Sequence, residues 1–84
     1  MMARKILVVD DTLNMLKMIS DFLVSQDYEV LTAADGKEAL ESFAAETPDL
    51  ILLDIMMPNM DGYQFIRELR KESDTPVIMI TAKQ

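Results

Sequence analysis

Residues 6–11 read ILVVDD, four apolar residues followed at once by two acids. Ile6, Leu7, Val8 and Val9 show no polar alternation, as expected of a strand buried on both faces of a parallel sheet. Asp10 and Asp11 place two carboxylates side by side where that strand ends. Like charges at such range repel, and each costs several kcal/mol to bury unless something positive is near. The pair calls for a cation.

The same pattern recurs along the chain. LILL at 50–53 is a second apolar run and ends in Asp54; VIMI at 77–80 is a third and ends in Thr81. Tyr28–Ala33, with its mix of polar and apolar residues, predicts a short edge strand. Between these runs the period changes to three and four. Met15, Leu16, Ile19, Phe22 and Leu23 predict one helix face, with Thr12 as its N-cap and Gln26-Asp27 as its end. Asp35 followed three residues later by Glu38 is a capping box opening a second helix, with Ala39, Leu40, Phe43 and Ala44 inward. Thr47-Pro48 stops it, because a residue before proline avoids the helical region. Pro58 breaks a loop over 55–60. A third helix is expected from about Asp61 to Lys71, with Phe65, Ile66 and Leu69 inward. The order βαβαβαβ predicts an α/β fold: a parallel sheet with helices on both faces and right-handed crossovers. Eighty-four residues make one domain at most, here 1–84.

Composition narrows the function. The net charge of −7 argues against a nucleic-acid surface, which needs Lys and Arg for phosphate contacts, and suits a metal cation or a basic partner. The chain has no cysteine, which removes disulfides and thiolate metal sites and fits an intracellular compartment. It has no histidine, so histidine chemistry must come from another molecule. No apolar run is long enough for a membrane span. The eight methionines are expected to fill gaps in the core and loops.

In open parallel sheets, ligands bind beyond the carboxyl ends of the strands, where the strand order reverses. If strand one lies between strands two and three, Asp10, Asp11 and Asp54 meet in one crevice. An isolated acid at a strand end usually caps a helix or sits in solvent. Two adjacent acids after one buried strand, with a third after another, favour a shared hard divalent cation, most simply Mg²⁺.

Three segments, ILVVDD, LILLDIMMPNMDG and PVIMITA, in that order, resemble the receiver domains of bacterial two-component response regulators, and the resemblance spans all 84 residues. It implies a flavodoxin-like sheet of strand order 2-1-3-4 and a phosphorylation switch. A sensor histidine kinase would pass its phosphoryl group to Asp54. Asp10, Asp11 and Asp54 would hold Mg²⁺, with the backbone carbonyl of Met56 as a further ligand. Thr81 would be the switch hydroxyl that turns toward the phosphoryl group. Read without the motif, Thr81 merely packs at a strand end, and Pro58 and Gly62 serve turn geometry. Lys83 stands away from the position where the family keeps its lysine and is expected to be solvated. Such a module accepts one phosphoryl group in the cytoplasm and is not a turnover enzyme.

A complete receiver continues with a fifth strand and two more helices. Relative to that pattern this chain is truncated after the fourth strand and lacks the phosphoryl-contacting lysine of strand five. Phosphotransfer by this form is therefore in question. Strand Val77–Ile80 would become an exposed apolar edge, so a homo-oligomer formed by pairing or exchanging that strand is expected. Two alternatives stand beside the signalling module. One is a structural or self-associating fragment deficient in phosphotransfer. The other is a phosphohydrolase of the haloacid-dehalogenase kind, disfavoured because Met56 stands where those enzymes place a second acid.

Overall fold

The computed structural model describes residues 4–54 and 62–80. Its elements are β1 (Lys5–Val9), α1 (Leu13–Ser25), β2 (Glu29–Ala33), α2 (Gly36–Ala45), β3 (Leu50–Asp54), α3 (Gly62–Leu69) and β4 (Val77–Ile80). The strands form one parallel sheet in the order β2-β1-β3-β4. This is the flavodoxin-like order, with the chain reversing direction across the sheet between β1 and β3. The mixed strand β2 is an edge, as its composition suggested.

Period-two alternation sorts the sheet into two packed faces. Leu7, Val9, Ala33, Ile51 and Leu53 point to the side covered by α2 and α3, where they meet Ala39, Phe65 and Leu69. Ile6 and Val8 point to the other side and meet Leu16 and Leu23 of α1. Each such fully buried aliphatic or aromatic side chain contributes roughly 1.5–3 kcal/mol. β1 lies at the centre of both clusters.

The helix boundaries follow from local chemistry. Asp35 accepts from the Glu38 backbone N–H at 2.8 Å, and the Glu38 carboxylate reaches back to the Ala34 N–H at 2.7 Å. The expected capping box is therefore present, with its return bond one residue earlier than the usual N-cap N–H. α1 ends with Tyr28 N–H donating to Leu23 C=O and Asp27 N–H to Val24 C=O, with Asp27 in the left-handed region at φ 70°. That is a Schellman closure with an aspartate where glycine is common. It also explains why β2 begins at Glu29 and not at Tyr28, whose N–H is still committed to the helix. α3 stops at Leu69, two residues short of expectation. Arg70 donates to the carbonyls of Ser73 (3.2 Å) and Thr75 (2.8 Å), and the Ser73 and Thr75 hydroxyls meet at 2.7 Å. This turn delivers the chain into β4.

Two expected core positions are exposed. Phe22 is 62 % exposed. At about 100° per residue it lies roughly 120° around α1 from Leu16, on the flank of the buried stripe. Ala44, in the last turn of α2, is also exposed.

At the amino ends of the strands, β1 and β3 are tied by a reciprocal pair. Asp49 N–H donates to Lys5 C=O at 2.8 Å, and Lys5 N–H donates to Asp49 Oδ2 at 2.8 Å. The Lys5 ammonium also reaches Glu46 (3.2 Å) and Glu29 (3.9 Å). At the far side of the sheet, β4 has no further strand beside it among the described residues.

Candidate metal centre

Register brings the acids together. Val9 pairs with Ala33 on one side and Leu53 on the other, so the next residues, Asp10 and Asp54, stand level at the carboxyl ends of β1 and β3. Asp54 is the last residue of β3, not the first residue after it, and is half-buried. Asp10 continues the β1–β2 ladder through its N–H to Ala33 C=O at 3.1 Å. Asp11 follows it and is exposed. One carboxylate oxygen from each of Asp10, Asp11 and Asp54 lies within 4.8 Å of the other two. The crevice expected from strand order is therefore formed by these three residues.

Asp10 is buried. Its Oδ1 accepts the Thr12 backbone N–H at 2.9 Å. Thr12 occupies the N-cap of α1, but its own side chain makes no capping bond. Thr12 thus takes the expected N-cap position without a side-chain bond, and Asp10, two residues earlier, holds the Thr12 N–H in an Asx-type turn. The signal was present in the sequence as Asp-x-Thr directly before the helical period. Burial raises the Asp10 pKa above the ordinary carboxylate value. The Thr12 backbone N–H pulls it down, and repulsion from Asp54 and Asp11 pushes it further up. The carboxylate is held charged at a cost that a cation beside it would offset.

The donor set suits a hard cation. It supplies carboxylate oxygens and no nitrogen or sulfur, and Mg²⁺ takes oxygen ligands at about 2.0–2.1 Å in an octahedron. Opposite ligands of such an octahedron stand about 4.2 Å apart. A spread of 4.8 Å needs only a small rotation of one carboxylate, or one water between acid and metal, to accommodate it. Met56 and Thr81 lie outside the described residues, as do Pro58 and Lys83. No helix among the described residues is long and apolar enough to cross a membrane.

Comparison with known proteins agrees with this geometry. The family model described as the response regulator receiver domain matches residues 6–84. Over 79 residues the chain is 54 % identical to ycf27 of Cyanophora paradoxa, a probable transcriptional regulator, covering 94 % of this chain and 33 % of that protein. The chain spans about a third of the length of the curated relatives it matches. Among solved structures it is similar to the chemotaxis protein CheY4 of Vibrio cholerae, with a TM-score of 0.93 and 38 % identity over 99 % of this chain and 72 % of that one. It is similar also to the response regulator TrrA of Thermotoga maritima in complex with Mg²⁺-BeF, with a TM-score of 0.89 and 38 % identity over 96 % of this chain and 71 % of that one.

Proposed function

The chain belongs to the response regulator receiver domain family, whose general role is phospho-acceptance in two-component signalling, and from that premise we propose that Asp54 is the acceptor. The donor in this reading is the phosphohistidine of a sensor histidine kinase, and Asp10, Asp11 and Asp54 hold Mg²⁺. The observation that carries it is the meeting of those three carboxylates at the carboxyl ends of β1 and β3. The Mg²⁺-BeF bound by TrrA supports the same choice of metal here.

In the proposed step, a carboxylate oxygen of Asp54 attacks phosphorus. The new P–O bond forms as the P–N bond to the kinase imidazole breaks, leaving an aspartyl phosphate and a free histidine. When bound, Mg²⁺ neutralises charge on the transferred phosphoryl oxygens, which three bare carboxylates would repel. Asp10 and Asp11 hold that positive charge beside Asp54. The Met56 carbonyl as a further ligand and the Thr81 hydroxyl as the switch complete the proposal. The chain's absence of histidine fits an acceptor and not a donor. Leu13, Met18 and Phe22 are exposed on α1, which starts beside Asp11, and offer apolar contact area to the kinase. In this reading the chain works in the cytoplasm and makes no nucleic-acid contact of its own. A transcriptional output of the kind named for ycf27 would reside in the part of those relatives that this chain does not span. The chain accepts a group once and is not a turnover enzyme.

Acetyl phosphate with Mg²⁺, read by mass spectrometry of the intact chain, tests this. One added phosphoryl group is expected, lost in Asp54→Ala and suppressed in Asp10→Asn or by chelation. An Asp54→Ala chain that still gains the group overturns it.

One observation favours a second reading, self-association of the chain through β4. Ile78 and Met79 of β4 are exposed at the outer strand of the described sheet, where a second copy would pair. Light scattering across a concentration series would show a dimer; a monomer at every concentration rejects it.

A further inference from the structure

Away from the acids, α2 and α3 leave a groove of about 180 Å³ between them. Leu40, Phe43 and Ala44 line it from α2, and Glu68, Leu69 and Glu72 from α3 and the turn after it. The floor is apolar. Glu68, near the end of α3, and Glu72, in the turn after it, are the two acids that border that floor. Glu68 is paired with Lys71 at 3.2 Å in an exposed ion pair, of a kind that contributes little to stability. The Glu72 carboxylate has no hydrogen bond or ion pair among the described residues.

Size and charge restrict the occupant. Small-molecule and cofactor sites occupy roughly 300–1,000 Å³. This groove is smaller and open, the scale of a single large side chain inserted by a partner. Its acidic rim, on a chain of net charge −7, selects positive neighbours for that side chain and attracts them at long range. We propose that the α2–α3 groove docks a Leu or Phe side chain from a basic protein segment, with flanking Lys or Arg meeting Glu68 and Glu72. The aliphatic stems of those cations would lie along Phe43 while their heads reach the rim. Helices of a parallel βαβ unit run opposite to its strands, so the carboxyl ends of α2 and α3 lie at the edge of the sheet away from Asp10 and Asp54. Docking here leaves the metal centre open, and either proposal can fail without the other.

The test is an NMR titration of the chain with an end-blocked hexapeptide, Leu-Phe at its centre and two lysines on each side. Saturable amide shifts are expected at Leu40, Phe43, Ala44, Leu69 and Glu72. The Glu68→Gln/Glu72→Gln double variant should bind roughly three- to tenfold more weakly. Ala44→Trp, at an exposed helix position, should fill the groove and abolish binding; an unchanged thermal midpoint shows that it still folds. The same peptide with glutamates in place of lysines should not bind. Shifts that map elsewhere, or do not saturate, overturn the proposal. So does equal binding of the acidic peptide or of the folded Ala44→Trp chain.

Discussion

β1 and β4 are written in the same alphabet, Ile-Leu-Val-Val against Val-Ile-Met-Ile, yet they live in different surroundings. Every side chain from Ile6 to Val9 is at most 4 % exposed, whereas Ile78 is 52 % and Met79 46 % exposed. β1 has a strand on each side and helices on both faces. Among the described residues β4 has one neighbouring strand, and α1 packs over β1 and β2. An unbroken apolar run therefore states that a strand is built to be covered. What covers it is decided by its place in the strand order, which the run itself does not encode.

The contrast can be tested by substitution. Leu7→Ala should cost about 2–5 kcal/mol, because it opens a cavity where no neighbour can relax into it. A domain of this length has a total stability on the order of 4–13 kcal/mol, so the loss should be plain in urea unfolding, and Met79→Ala should lose far less. Equal losses would break the contrast. A smaller effect is expected at the end of β1. Asp10→Asn keeps an acceptor for the Thr12 N–H and removes a buried charge, so the metal-free variant should unfold at higher temperature than wild type at neutral pH. The sign follows from the raised pKa. As pH falls through that raised value, the folded chain takes up a proton that the unfolded chain still lacks, and wild-type stability recovers. The advantage of Asp10→Asn should shrink over this window and vanish below the ordinary value of 3.8. An advantage that grows on acidification would contradict the assignment. Ile78→Thr should cost no more than about 1 kcal/mol in chemical unfolding, while removing any concentration dependence in light scattering. The smallest change is expected at Phe22→Gln, within about 0.5 kcal/mol by thermal midpoint, which sharpens the contrast with the neighbouring buried Leu23.

Much of this was legible because the relevant signals are short-range. Apolar runs and the change of period gave the alternation of strands and helices, and Asp35 with Glu38 gave the start of α2. The acids at strand ends gave the crevice, once the order of strands was supplied by the family resemblance. Phe22 was misplaced because spacings of three and four residues admit either flank of a helix, and only the position of the sheet chooses between them. Thr12 does stand at the N-cap, as its place before the helical period indicates, but whether its hydroxyl turns to a first-turn N–H is a rotamer choice that the sequence does not encode. The α2–α3 groove had no signal at all, since it exists only where two helices distant in the chain come side by side.

The ties that Lys5 makes with Asp49 have a consequence at the opposite end of the molecule. A strand advances about 3.3 Å per residue and turns its side chains over at each step. Were β3 to slide by a single position against β1, Asp54 would move by that distance and its carboxylate would swing to the other surface of the sheet. The clasp between residues 5 and 49 thus indexes chemistry about 16 Å away, and loosening it would cost the protein its aim before it cost the protein its fold.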